Sequence, residues 1–137
     1  CKRRSPCISS LALIMSELIN ELWQKAINEH NRGDYHEAHE IFEDIWLELD
    51  NRGEKDIVQT LAQADALAVH IATGNLGAAQ RLMRQLPELL ITFPENYRKI
   101  NLIEFREWLA QMILVIPSTL DISKISSKEP PKLFNCR

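Results

Sequence analysis

Between Ser16 and Ile116 the sequence has no cysteine, and its one serine there is Ser16 itself. Catalysis by a thiol or a serine hydroxyl therefore has no nucleophile inside that stretch. The three cysteines, Cys1, Cys7 and Cys136, lie in the terminal segments. An odd number so placed is not a disulfide framework and points to a reducing cytoplasm. Glycine is scarce, at four in 137 residues, and no GxxxxGK loop or GxGxxG turn cradles a phosphate. The Glu-x-x-His pairs of di-iron bundles are missing as well. No apolar run approaches the ~20 residues that span a bilayer. Lys2-Arg3-Arg4 before Ile8 to Met15 only faintly imitates a signal peptide, because Ser9 and Ser10 break the run. Basic charge is also short. Residues 15–116 hold nine Lys and Arg against seventeen Asp and Glu, so a phosphate backbone is repelled, and neither nucleic acid nor membrane is an expected partner.

What is present is helical periodicity. Ser16 can cap a helix whose apolar positions Leu18, Ile19, Leu22, Trp23, Ala26 and Ile27 keep 3.6-residue spacing up to Gly33. Asp34 with Glu37 predicts a capping box for a second helix, with the stripe Tyr35, Ala38, Phe42, Ile45, Trp46 and Leu49. A third helix is expected from about Glu54 to Thr73. Asp65 is its one charge between Ile57 and Ala72, which marks it as central and buried. Asn75 opens a fourth helix to about Leu86, where Pro87 kinks or restarts the chain, and Asn101 with Glu104 predicts a capped fifth helix ending at Ile116. Gly33-Asp34-Tyr35-His36-Glu37-Ala38 matches Gly74-Asn75-Leu76-Gly77-Ala78-Ala79 as Gly-Asx-apolar-x-x-Ala, similar to a tetratricopeptide turn. The expected fold is all-α, a five-helix bundle of two helical hairpins plus a closing helix. Residues 15–116 form the domain, 1–14 a disordered N-terminal extension and 117–137 a flexible C-terminal tail.

Polar density concentrates on the second helix, Glu37-Ala38-His39-Glu40-Ile41-Phe42-Glu43-Asp44-Ile45-Trp46. By helical geometry His39 lies at the rim of the apolar stripe with Glu43 one turn on, while Glu40 points away and Glu37 is taken by its cap. Gln59, Gln63 and His70 fall within about 40° of one another on the third helix. His39, Glu43, Gln63 and His70 could therefore meet where the two helices pack. An imidazole beside a carboxylate serves as a general base or holds a metal. His39, Glu43 and His70 are the catalytic candidates, and His39 and Glu43 the candidate ligands of a divalent metal. The spacing HExxE offers one His and one carboxylate, short of a metalloprotease HExxH. Each residue also has a purely structural reading: His70 at a helix end, Gln63 bridging to backbone, Trp46 in the core.

Asn31 before Tyr35, then Glu37-x-His39-Glu40-x-x-Glu43-x-x-Trp46, then Gln63, His70 and Gly74-Asn75 with Arg81-Leu82, together resemble DUF309, a family of small helical proteins catalogued as a domain of unknown function. The resemblance covers roughly Ile27 to Leu86. It implies a compact all-α domain with Glu37, His39, Glu40, Glu43, Trp46, Gln63, His70 and Asn75 gathered between central helices, and it supplies no activity. Two residues depart from the family's pattern: Thr60 stands where glycine is usual, and Asp65 where alanine is. The reading these features favour is a binding module for a protein or peptide partner, its polar cluster between helices two and three. The alternative is a metal-assisted hydrolase or lyase on His39 and Glu43.

Overall fold

The computed structural model describes residues 4–125 and 129–136, with side chains from residue 12 onward. Among the described residues six α-helices run in chain order: α1 Arg4–Asn31, α2 Tyr35–Glu48, α3 Arg52–Ala72, α4 Leu76–Leu82, α5 Leu86–Ile91 and α6 Ile103–Val115. The fold is all-α, as expected, with helix packed on helix. α2 lies against both α1 and α3, and α3 also meets α4 and α5. Val58, Ala64 and Leu67 on α3 are fully buried, and Leu61, Ala62, Ala68 and Ile71 nearly so. Small side chains on several flanks allow these neighbours to approach closely, which is why the most alanine-rich helix is the central one.

The two Gly-Asx junctions fold alike. Gly33 has φ +87° and Gly74 φ +75°, left-handed conformations that favour glycine. In each, the Asx backbone N–H reaches back five residues: Asp34 to the Glu29 carbonyl at 2.9 Å and Asn75 to the His70 carbonyl at 2.8 Å. Each Asx side chain then accepts from the N–H three residues on, Glu37 or Ala78. Only half of the expected capping box forms at α2, because the Asp34 N–H is already committed to Glu29.

Several boundaries differ from the sequence reading, each for a local reason. The first helix begins at Arg4, not near Ser16. Pro6 does not stop it, since a first-turn residue needs no intrahelical N–H. The stretch expected to be disordered is thus helical from Arg4 on, and residues 1–3 lie outside the described residues. Helix four ends at Leu82, and α5 starts with Pro87 in its first turn, so that proline restarts the chain. The Asn101–Glu104 box does not form. Asn101 instead belongs to a strand, and its side chain accepts from the Ile103 N–H at 2.9 Å.

That strand belongs to an antiparallel sheet no pattern announced: β1 Asn96–Tyr97, β2 Ile100–Asn101 and β3 Phe134–Asn135, in that order. β1 and β2 are joined by Arg98 (φ 47°) and Lys99 (φ 69°), the two-residue turn whose backbone matches strand twist. β3 comes from the segment expected to be a flexible tail. It pairs Ile100 with Asn135 and Asn101 with Phe134, and Leu133 beside it is 1% exposed in the core. Ile125 and Pro130 are buried too. Residues 129–136 are therefore docked on the domain.

Candidate functional site

His39 is held at the seam between α2 and α3. Its Nδ1 lies 2.8 Å from the Ala62 carbonyl. A carbonyl can only accept, so Nδ1 carries the hydrogen. Its Nε2 faces the Glu43 carboxylate at 3.2 Å, on the same helix face one turn on. Glu43 is 57% exposed, so water screens this pair and its contribution to stability is small.

The other candidates disperse. Gln63 does not meet His39: its Nε2 donates to Gln85 Oε1 at 2.6 Å, just before α5. Glu40 faces His36 at 3.6 Å on the solvent side. Glu37 and Asn75 sit in the helix starts already described. Trp46 packs under Lys55, whose ammonium lies 4.0 Å from the ring centre and donates to the Trp46 carbonyl at 2.7 Å. His70 is half-buried. Its pKa is lowered by burial, then by the charges of Arg81 and His39, which favours a neutral ring over a cation serving the α3 terminus. His39 and His70 thus come within reach of each other's charge without a hydrogen bond between them.

Two atoms in this region are buried with no protein partner among the described residues, the donor Trp46 Nε1 and the acceptor Gln63 Oε1. Hollows of about 420 Å³ open by Val115, Thr119 and Ile125 and by Leu90, Ile103 and Arg106, neither lined by any of these residues. No three or more His, Cys, Asp or Glu side chains converge on a common point among the described residues. A catalytic zinc needs three protein ligands, and His39 with Glu43 supplies two.

The most deeply buried polar pair escaped the sequence reading. His30 Nδ1 lies 2.7 Å from Asp65 Oδ1, with the two side chains 1% and 0% exposed. His30 Nε2 lies 2.9 Å from the Pro131 carbonyl. Next to it, Asn31 donates to the Leu133 carbonyl at 2.8 Å and accepts from the Leu133 N–H at 2.7 Å. The signal for His30 was its position: it continues the stripe Trp23, Ala26, Ile27 at helical spacing. Asp65, an isolated carboxylate in an otherwise apolar helix, pointed to the same pairing from the other side. Thr60, the second departure, satisfies its buried hydroxyl on the Asp56 carbonyl at 2.7 Å.

The arrangement of α1 to α4, with its paired junctions and seam histidine, can now be set against known proteins. The family described as "Domain of unknown function (DUF309)" matches residues 23–82. Over those residues the chain is similar to DUF309. An uncharacterized protein of Aquifex aeolicus (strain VF5) is 33% identical to it over 94 residues, which cover 68% of this chain and 28% of that protein. The chain thus spans under a third of that relative's length. No solved structure matches it. The DUF309 match runs from Trp23 to Leu82, so it takes in His30, His39 and Asp65 and stops short of Gln85, the sheet and the C-terminal segment.

Proposed function

We propose that this domain is an interaction module, not a catalyst, and that it docks a partner along the N-terminal half of α1. One observation carries the reading. The α1 stripe is buried from Ile19 through Trp23, Ala26 and Ile27, and it runs on upstream into solvent. Leu13 and Ile14 are 63% and 59% exposed, and Met15 and Leu18 both 39%. Contiguous exposed apolar side chains on a helix mark a contact surface.

The partner this reading commits to is a second copy. Ile14 or Met15, Leu18 and Leu22 repeat at the three- and four-residue steps of a helix seam. A two-fold pair presents the same stripe from both sides. The test is sedimentation equilibrium of the whole chain beside the double variant Ile14→Glu, Leu18→Glu. The expected result is a concentration-dependent dimer that the double variant abolishes with its helix content intact. A chain still monomeric at about 1 mM, where even a −4 kcal/mol association would register, overturns the reading.

The hydrolase or lyase alternative draws less support. It needs a third ligand or a second acid/base group converging on His39 and Glu43, and Gln63 is engaged with Gln85.

A further inference from the structure

The C-terminal segment is tied to α1 at two adjacent residues, and one of the ties depends on a proton. The His30 ring sits between two groups that accept hydrogen bonds, the Pro131 carbonyl at Nε2 and the Asp65 carboxyl at Nδ1. The carbonyl accepts only, so Nε2 must donate. The Nδ1 contact then needs one further proton. It resides on the ring, as imidazolium facing carboxylate, or on Asp65, as carboxylic acid facing neutral ring; both forms satisfy the same geometry. Remove that proton and the ring has a single N–H for two acceptors. Either the Pro131 bond is lost or a lone pair is turned on a buried carboxylate.

We propose that residues 129–136 form a strap clasped to α1 by the proton held between His30 and Asp65, and that loss of this proton releases the strap. Releasing it uncovers the site of Leu133 and the outer edge of β2, a surface the closed domain hides.

The groups that face the ring or its partner come from α1, α2, α3, α6 and the strap. α3 supplies Asp65, and α2 supplies Tyr35, ring centre 5.3 Å away, with the His39 charge acting on Asp65. The strap supplies Glu129, whose charge acts on Tyr35. α6 contributes the uncharged ring of Phe105, 5.7 Å away. On α1 itself, Glu29 is paired with Arg32. Burial alone would lower the His30 pKa, but the hydrogen bond and charge of Asp65, with the Pro131 carbonyl, outweigh it and leave it raised above 6.5. Burial likewise raises Asp65 above 3.8, against the pull of His30. Both shifts favour keeping the shared proton between the two side chains. Because the folded-state value is raised, the stabilisation is complete below pH 6.5 and is lost as pH rises through the higher value.

Amide hydrogen exchange on the whole chain tests this. Leu133 N–H bonds to Asn31 and Cys136 N–H to the Lys99 carbonyl, so both report strap docking. After correction for the base dependence of exchange itself, their protection should fall roughly ten- to hundredfold between about pH 6 and pH 9, while α3 amides keep theirs. In Asp65→Asn the amide can donate to the neutral ring, which keeps Nε2–H for Pro131, so the strap should stay protected at every pH. Asn31→Ala, which weakens the other tie, should lower strap protection and leave its pH dependence in place. A flat profile in the wild-type chain, a loss shared equally by α3, or an Asp65→Asn profile like the wild type's would each overturn the proposal.

Discussion

Replacing Leu133 by alanine asks whether the C-terminal segment belongs to the folding unit. Leu133 is 1% exposed and lies in the same apolar cluster as the helix cores. Truncating a buried leucine costs about 2–5 kcal/mol, the lost transfer energy plus the cavity left behind. An unfolding entropy of roughly 2.1 cal/mol/K per residue gives about 0.29 kcal/mol/K for 137 residues. The expected fall in Tm is therefore about 7–17 °C. If the strap detaches before the helices melt, the fall is capped by its docking free energy and lands at the low end. Thermal denaturation followed by circular dichroism reads this out, with Leu120→Ala as control. Leu120 is 96% exposed, so its loss should stay within ~0.5 kcal/mol. A Leu133→Ala melt within about 2 °C of wild type would refute the reasoning, because a side chain that fills the core cannot be removed so cheaply.

Other perturbations follow from individual contacts. Asn75→Ala removes the cap on the Ala78 N–H and should lower stability by about 1 kcal/mol, or roughly 3–4 °C in a thermal melt. Gly74→Ala should cost about 1–3 kcal/mol because alanine is strained at φ +75°. Tyr97 donates to Glu54 at 2.7 Å, and burial with that carboxylate, against the opposing Arg98, pushes its pKa up to about 12. A raised acid contributes stability below its ordinary value of 10.0 that is lost as pH climbs through about 12. Ultraviolet titration should show its phenolate appearing late, and earlier in Glu54→Gln. His39→Ala should lower Tm by a few degrees through the lost Ala62 bond, and a thermal-shift scan should find no divalent metal that stabilises the wild type and not the variant.

The helices were legible because their determinants are local. Periodicity and the Gly-Asx junctions lie within a few residues of what they control, and at both junctions the glycine ends one helix and the Asx side chain caps the next, with half of the Asp34–Glu37 box formed. The sheet was not legible, since two-residue strands are too short to show alternation. The strap was hidden by composition. Pro130, Pro131 and Lys132 look like a loose tail, and what anchors them are His30 and Asn31, about a hundred residues away in sequence. The polar cluster was legible only in part. Helical angles placed His39 and Glu43 correctly on one face, but angles cannot say which helix stands opposite, and Gln63 turned to Gln85 instead of His39. Asp65 stands out in the sequence as a departure from the family pattern. Its partner does not, because a histidine continuing an apolar stripe reads as part of the core.

Sedimentation equilibrium of the chain and its Ile14→Glu, Leu18→Glu variant tests the central claim, that the exposed face of α1 is a docking surface. Reversible dimers are expected for the wild type and monomers for the variant, with unchanged helix content and with His39→Ala still dimeric. Monomers for both, up to about 1 mM, would contradict that claim.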